Sequence, residues 1–139
     1  MHRAHRALSV YGNGQTYEAL GISASQLATL QHVSRSPGCS LTNLANLLDL
    51  NKSAVTGLVQ RMERDGILRR VPDPSDGRAS LLYVTPKGEG LRARSGALIQ
   101  RLNGELTKGF EPREVEVVVR FLNALIERCA GSDDSGTTD

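Results

Sequence analysis

The residues of this chain best suited to chemistry lie between Ser40 and Thr85, and they are suited to hydrogen bonding rather than to bond making. Ser53, Thr56, Gly57, Gln60 and Arg64 recur at spacings of three and four, which places them on one side of a helix running from about Lys52 to Asp65. Val55, Leu58, Val59 and Met62 fall on the opposite side. Small hydroxyls, an amide and a guanidinium are the groups that read base edges in a DNA major groove, whereas an ordinary solvated face alternates Glu and Lys. Gly57 removes bulk from the middle of that face at some cost in helix propensity.

Other polar residues surround this face. Lys52 and Arg61 stand at its edges, where a long cation meets phosphate more readily than a base, and Asn51 precedes it in a polar break. Ser40, Thr42 and Asn43 open the preceding helical segment, whose first backbone N–H groups favour an anion. Arg78 sits beside a turn farther on, placed to enter an adjacent minor groove or hold a phosphate.

The elements that must position these groups are legible in the periodicity. Leu41, Leu44, Ala45 and Leu48 mark a helix of barely two turns capped by Ser40, separated by Asp49-Leu50-Asn51 from the polar-faced helix that Gly66 ends. Two short helices about three residues apart make a helix-turn-helix. Ile67 to Val71 and Leu81 to Thr85 predict two strands joined by the turn cluster Pro72 to Gly77, a β-hairpin wing. Before them, Ser23 to Ser34 predicts an amphipathic helix with Ser23 as N-cap and Pro37-Gly38 as terminator. The first stretch, His2 to Leu20, predicts a short or broken helix interrupted by Gly12, Asn13 and Gly14. After the hairpin, Pro86 as a suitable first-turn residue and the stripe Leu91, Leu98, Ile99, Leu102 and Leu106 over Gly90 to Leu106 predict a long helix. From Pro112, Val115, Val118, Val119, Leu122, Leu125, Ile126 and Cys129 predict a last one whose apolar stripe a partner subunit would cover.

Composition bounds the rest. A chain of 139 residues with 39% apolar and 23% charged residues reads as one folded domain, and 131–139 as a polar, disordered tail. Aromatic residues are 4% with no Trp, so the core is built from aliphatic side chains on helices, and base stacking on single strands is not the mode of action. Net charge is +2, so nucleic-acid binding rests on where charges sit rather than on their sum. The absence of a membrane-length apolar run or signal-like start predicts a cytoplasmic protein without membrane association. Cys39 and Cys129, without a CxxC pair, predict reduced thiols and no zinc site.

Together, SLTNLANLLDLNKSAVTGLVQRMERDGILRRVPDPSDGRASLLYVTPKG resembles the MarR family of winged-helix regulators, above all in SAVTGLVQRMERDGIL, the wing DPSDGR and the closing LYVTPKG. The resemblance implies a mainly α fold with a small β-hairpin wing: a winged helix-turn-helix over 23–87 flanked by dimerisation helices over 1–22 and 88–130. It implies a homodimer that binds double-stranded DNA at a pseudo-palindromic operator, usually as a repressor, with recognition helices about 34–36 Å apart. By position, Ser53, Thr56 and Gln60 face the groove, Arg78 is the wing arginine and Asp76 orients it, while Gly77 replaces the basic residue common beside that arginine. It also implies release by a small aromatic or phenolic effector, for which His32, Tyr11 and Tyr17 are candidate lining residues.

Three other readings compete. Cys39, in a predicted loop, offers a thiol-based redox switch, whereas Cys129 continues an apolar stripe and reads as core. A winged helix used for protein contacts would oligomerise without salt-dependent DNA affinity. An enzyme is disfavoured: His32 is isolated, His2 and His5 lie at a terminus where metal binding would be adventitious, and neither a nucleophile elbow, a phosphate loop nor HExxH occurs. No cofactor or metal is expected.

Overall fold

Capping serines set the frame of the fold. In the computed structural model, which describes residues 1–130, the Ser23 hydroxyl accepts the Gln26 N–H (3.1 Å) while the Gln26 side chain accepts that of Ser23 (2.8 Å). This reciprocal pair satisfies two orphan donors and starts helix α2, Ala24–Arg35. Ser40 caps α3, Leu41–Leu48, and Asn51 caps α4, Lys52–Arg64, through Ala54 N–H at 2.8 Å. Each such cap contributes about 1 kcal/mol. The tail 131–139, expected to be disordered, lies outside the described residues.

The chain falls into two units, Met1–Arg101 and Leu102–Asp139. In the first, α3 and α4 meet through a tight turn in which Asp49 adopts a left-handed conformation (φ 52°) and closes on Ala45 and Asn46 carbonyls. Their apolar faces, with α2, supply the core: Leu30, Val33, Leu44, Val55, Val59 and Met62 are fully buried. Each Leu or Met there costs about 2–5 kcal/mol to truncate to Ala.

A three-stranded antiparallel sheet, order β1-β3-β2, lies beside these helices: β1 Cys39–Ser40, β2 Leu68–Asp73 and β3 Asp76–Val84. The hairpin is longer than predicted and turns at Pro74-Ser75, and β1 was missed because two residues carry no periodicity. Pro72 is tolerated because β2 is an edge strand. Helix α5, Pro86–Leu106, has Pro86 in its first turn, and Thr85 Oγ1 caps that turn by accepting the Gly88 N–H (3.1 Å).

The first helix corrects the sequence reading. α1 runs unbroken from His2 to Leu20 through Gly12, Asn13 and Gly14. Each glycine costs about 1 kcal/mol relative to Ala. Tertiary anchoring offsets it: Asn13 Oδ1 accepts the Ala24 N–H at the start of α2 (3.0 Å), and Thr16 and Leu20 are buried, Thr16 with its hydroxyl donated within α1 to the Asn13 carbonyl (3.0 Å).

In the second unit, α6 runs Pro112–Ala130 as its proline and apolar spacing predict. Val118, Val119, Leu122 and Ile126 are exposed, as are Val117 and Phe121. Cys129, expected in the core, is exposed too, because it continues this uncovered stripe.

Candidate nucleic-acid interface

Helix α4 separates its two faces as its sequence dictates. Val55, Leu58, Val59 and Met62 are buried, while Ser53, Gln60, Arg61 and Arg64 are exposed and Thr56 and Gly57 half-buried. Thr56 Oγ1 donates to the Lys52 carbonyl at 2.7 Å, so its hydroxyl hydrogen is used inside the helix. What Thr56 offers outward is an oxygen lone pair and a methyl, the latter a match for the thymine methyl. The space over Gly57 is used by Arg61, whose Nη1 lies 3.6 Å from where a Cβ would stand. A Cβ there would meet the guanidinium at ordinary van der Waals distance, so Arg61 lies along the helix beside Gly57 without requiring a glycine.

Several predicted contacts turn out to have local work. Asn51 is exposed but its side-chain Oδ1 caps α4 by accepting the Ala54 N–H. The Ser40 hydroxyl accepts the Asn43 N–H (3.1 Å) and donates to Asn43 Oδ1 (2.8 Å), so these two side chains are paired with each other at the start of α3. Thr42 beside them and Lys52 are exposed.

The wing carries its arginine on an irregularity. Pro72 pairs with Ser80 and the next β2 residue, Asp73, with Asp76, so Gly77, Arg78 and Ala79 have no partners opposite them. Such a bulge bends a strand and re-aims a side chain, and Arg78 stands exposed at its middle. Asp76 accepts the backbone N–H of Arg78 at 3.0 Å, a bond to the main chain and not to the guanidinium. Asp73 ties the tip by accepting the Ser75 N–H (2.9 Å) and hydroxyl (2.8 Å), which hold its carboxyl below the usual range. Because the folded pKa is depressed, this tie is present at neutral pH and is lost as pH falls through that depressed value.

Residues of the polar face line a cleft of about 630 Å3, with Tyr17, Ser25 and Gln26 contributed by α1 and α2 and Ser53, Gly57 and Arg61 by α4. Tyr17 was a candidate lining residue; Tyr11 and His32 are not among the cleft's walls, although His32 Nε2 is buried without a hydrogen-bond partner. Cys39 is buried in β1 rather than in a loop, and burial pushes its thiol pKa up, opposing a smaller effect of its own backbone hydrogen bond. No cluster of His, Cys, Asp and Glu able to hold a metal occurs among the described residues.

Sequence reasoning missed the junction that fixes the far end of α4. Thr85 and Lys87 bind carbonyls just beyond the helix, and the signal was present in LYVTPKG, where hydroxyl, proline and cation follow one another at a strand end.

A helix-turn-helix followed directly by a β-hairpin with an exposed arginine defines a winged helix-turn-helix protein. A family model described as "MarR family" matches residues 20–79. The chain is 31% identical over 112 residues to the multiple antibiotic resistance protein MarR of Salmonella typhimurium, covering 77% of this chain and 75% of that protein. It is 31% identical over 121 residues to the transcriptional activatory protein BadR of Rhodopseudomonas palustris, covering 84% of this chain and 69% of BadR. The crystal structure of the transcriptional regulator BldR from Sulfolobus solfataricus superposes with a TM-score of 0.82 at 26% identity, covering 91% of this chain and 88% of that one. The chain belongs to the MarR family, a family of transcriptional regulators and not of enzymes. It spans 65, 69 and 63% of the length of three of the curated relatives it matches.

Proposed function

We propose that this protein is a sequence-specific, double-stranded DNA-binding regulator that acts as a homodimer on a pseudo-palindromic operator, in the cytoplasm. The observation that carries this reading is the segregation on α4: a buried apolar face locks the helix to its domain while Ser53, Gln60, Arg61 and Arg64 stand in solvent, and the hairpin that follows exposes Arg78. Ser53, Thr56 and Gln60 read bases. Lys52, Arg61 and Arg64 hold the backbone, Arg78 extends the contact, and Thr42 stands by the start of α3 for a flanking phosphate. The described helices include none long and apolar enough to cross a membrane.

The decisive experiment is to sequence the DNA fragments that the purified protein selects from a random pool. A palindrome with half-sites about 10–10.5 base pairs apart is expected. Retained oligomerisation with no salt-dependent DNA affinity would instead point to a protein-interaction module. Arg78→Ala is expected to weaken binding about tenfold and to reduce the slope of log K against log salt by roughly one counterion. An unchanged slope would remove Arg78 from the interface.

The sign of regulation is read as repression, the operator being occluded by a bound dimer. BadR is named as an activatory protein, so a reporter carrying the selected operator at its promoter decides between the two signs. The cleft supports release by a small aromatic or phenolic acid: its walls include Ser53, Gly57 and Arg61, and a carboxylate held by Arg61 would withdraw that cation from DNA. Titrating benzoate-type acids against operator complexes tests this, with loss of the effect in Arg61→Ala expected.

The thiol-switch reading is not supported by the surroundings of Cys39, because a sensor needs an accessible thiol with a depressed pKa and this one is buried and raised. Mass spectrometry after mild peroxide is expected to find Cys39 unmodified, and Cys39→Ser is expected to respond to peroxide as the unsubstituted protein does. A sulfenate at Cys39, with peroxide response lost in the variant, would reinstate the switch.

A further inference from the structure

The chain leaving α4 is held by the segment that starts α5. Lys87 Nζ donates to the Asp65 carbonyl (2.7 Å), and the single hydroxyl hydrogen of Thr85 Oγ1 is shared between the carbonyls of Gly66 (2.6 Å) and Ile67 (2.9 Å) while its oxygen accepts the Gly88 N–H. The Thr85 N–H adds a further bond to the Ile67 carbonyl (3.1 Å). Three consecutive carbonyls just past the helix are therefore fixed from one side. The last carbonyls of α4 itself are taken by the turn: Arg61 by Asp65 N–H, Met62 by Ile67 N–H and Glu63 by Gly66 N–H. Gly66 turns the chain at φ 71°, with the Lys87 stem lying 3.9 Å from where its Cβ would be. The Lys87 ammonium also sits at the negative end of the α4 dipole.

We propose that Thr85 and Lys87 are positioning residues for base recognition: they fix the exit of the reading helix to the end of the wing strand, so that α4 and Arg78 meet DNA in one set geometry. Thr85 directly follows β3, which carries Arg78, and Lys87 lies in the first turn of α5. The clamp thus joins reading helix, wing and α5. Neither residue belongs to the exposed face of Ser53, Thr56 and Gln60; both act from the opposite end of α4. Loosening the clamp leaves the cations in place and frees the helix to tilt, which removes discrimination between sequences before it removes affinity for DNA as such. This inference rests on the reading of α4 as the base-reading helix.

The test compares affinity for the selected operator with affinity for random DNA over a range of salt concentrations, in Thr85→Val, Thr85→Ser and Lys87→Met. Thr85→Val and Lys87→Met are each expected to lose about tenfold on the operator, the scale of one or two net hydrogen bonds, with random-DNA affinity and salt slope unchanged. Thr85→Ser keeps the hydroxyl and is expected to bind as the unsubstituted protein does. If Lys87→Met weakens both DNAs equally and lowers the slope by about one counterion, Lys87 is a phosphate contact and the proposal is overturned for it. If Thr85→Ser loses as much as Thr85→Val, the methyl rather than the hydroxyl matters, and the proposal fails for Thr85. Should Thr85→Val not fold, the exposed Lys87 carries the test. Gln60→Ala separates the two levels: unchanged discrimination in that variant defeats the reading of α4 itself, whereas loss there with none in the clamp variants defeats only the clamp.

Discussion

Gly88→Ala is expected to lower the thermal midpoint of this protein by roughly 6–12 °C, about 2–3 kcal/mol of net destabilisation at the few degrees per kcal/mol of a chain this size. Gly88 lies in the first turns of α5 and is buried, and a Cβ built on it stands 2.4 Å from the Ile67 carbonyl oxygen, 2.7 Å from Val84 Cγ1 and 3.2 Å from Leu30 Cδ2. The first contact decides the sign, because it is with backbone: relief requires α5 to move away from the start of β2. That movement would pull Thr85 off the same carbonyl and open the clamp on α4. Alanine's better helix propensity returns at most about 1 kcal/mol, less than the overlap costs. Gly90→Ala supplies the control. Gly90 is exposed, has nothing within 4 Å of its would-be Cβ and has no positive φ, so that substitution is expected to stabilise by about 0.4–1 kcal/mol through the unfolded chain. Two Gly→Ala changes two residues apart are expected to have opposite signs; a Gly88→Ala midpoint equal to or above that of the unsubstituted protein would show that α5 does not pack this closely on the wing.

This contrast also marks what was and was not legible in the sequence. The helix-turn-helix was readable because its information is local: Ser40 and Asn51 cap, apolar spacing sets the buried faces, and Gly66 terminates. The polar face of α4 could be listed from the wheel alone, and the burial of its opposite face follows the same wheel. What escaped depends on contacts distant in sequence. The glycines of α1 look like a break until Asn13 is seen capping α2, eleven residues on. Strand β1 exists because β3 pairs with it at Cys39–Leu82, which two residues cannot announce. The clamp escaped because hydroxyl and ammonium side chains look alike on any surface, and their partners are carbonyls some twenty residues earlier. The resemblance to a family supplied the order of these parts, but not the division of labour within the site, where Ser40, Asn43 and Asn51 prove to be occupied with capping.

The largest functional effect is expected from a residue outside the reading domain. If the proposed homodimer forms through α6, Ile126→Asp is expected to leave the protein a monomer at micromolar concentration, and to lower operator affinity by about 10²–10⁴, the gain a second, linked half-site normally provides. Ile126 is 66% exposed on α6, and Val118, Val119 and Leu122 share its stripe at 43 to 54%. An apolar stripe of this length left in water is unfavourable at about 25 cal/mol per Å2, and in the proposed homodimer a second copy of the same helix would remove it on both chains at once. A carboxylate placed within such an interface would lose its water on association, a cost that opposes dimer formation. Because Ile126 contributes little buried area within its own chain, the monomer is expected to keep its helical content, which circular dichroism checks alongside sedimentation. The monomer retains α4 and Arg78, so its residual binding to a single half-site should keep the base preference of the full operator while losing dependence on half-site spacing. A variant that stays dimeric with operator affinity intact would mean that α6 is not the interface, and that its exposed stripe serves another partner.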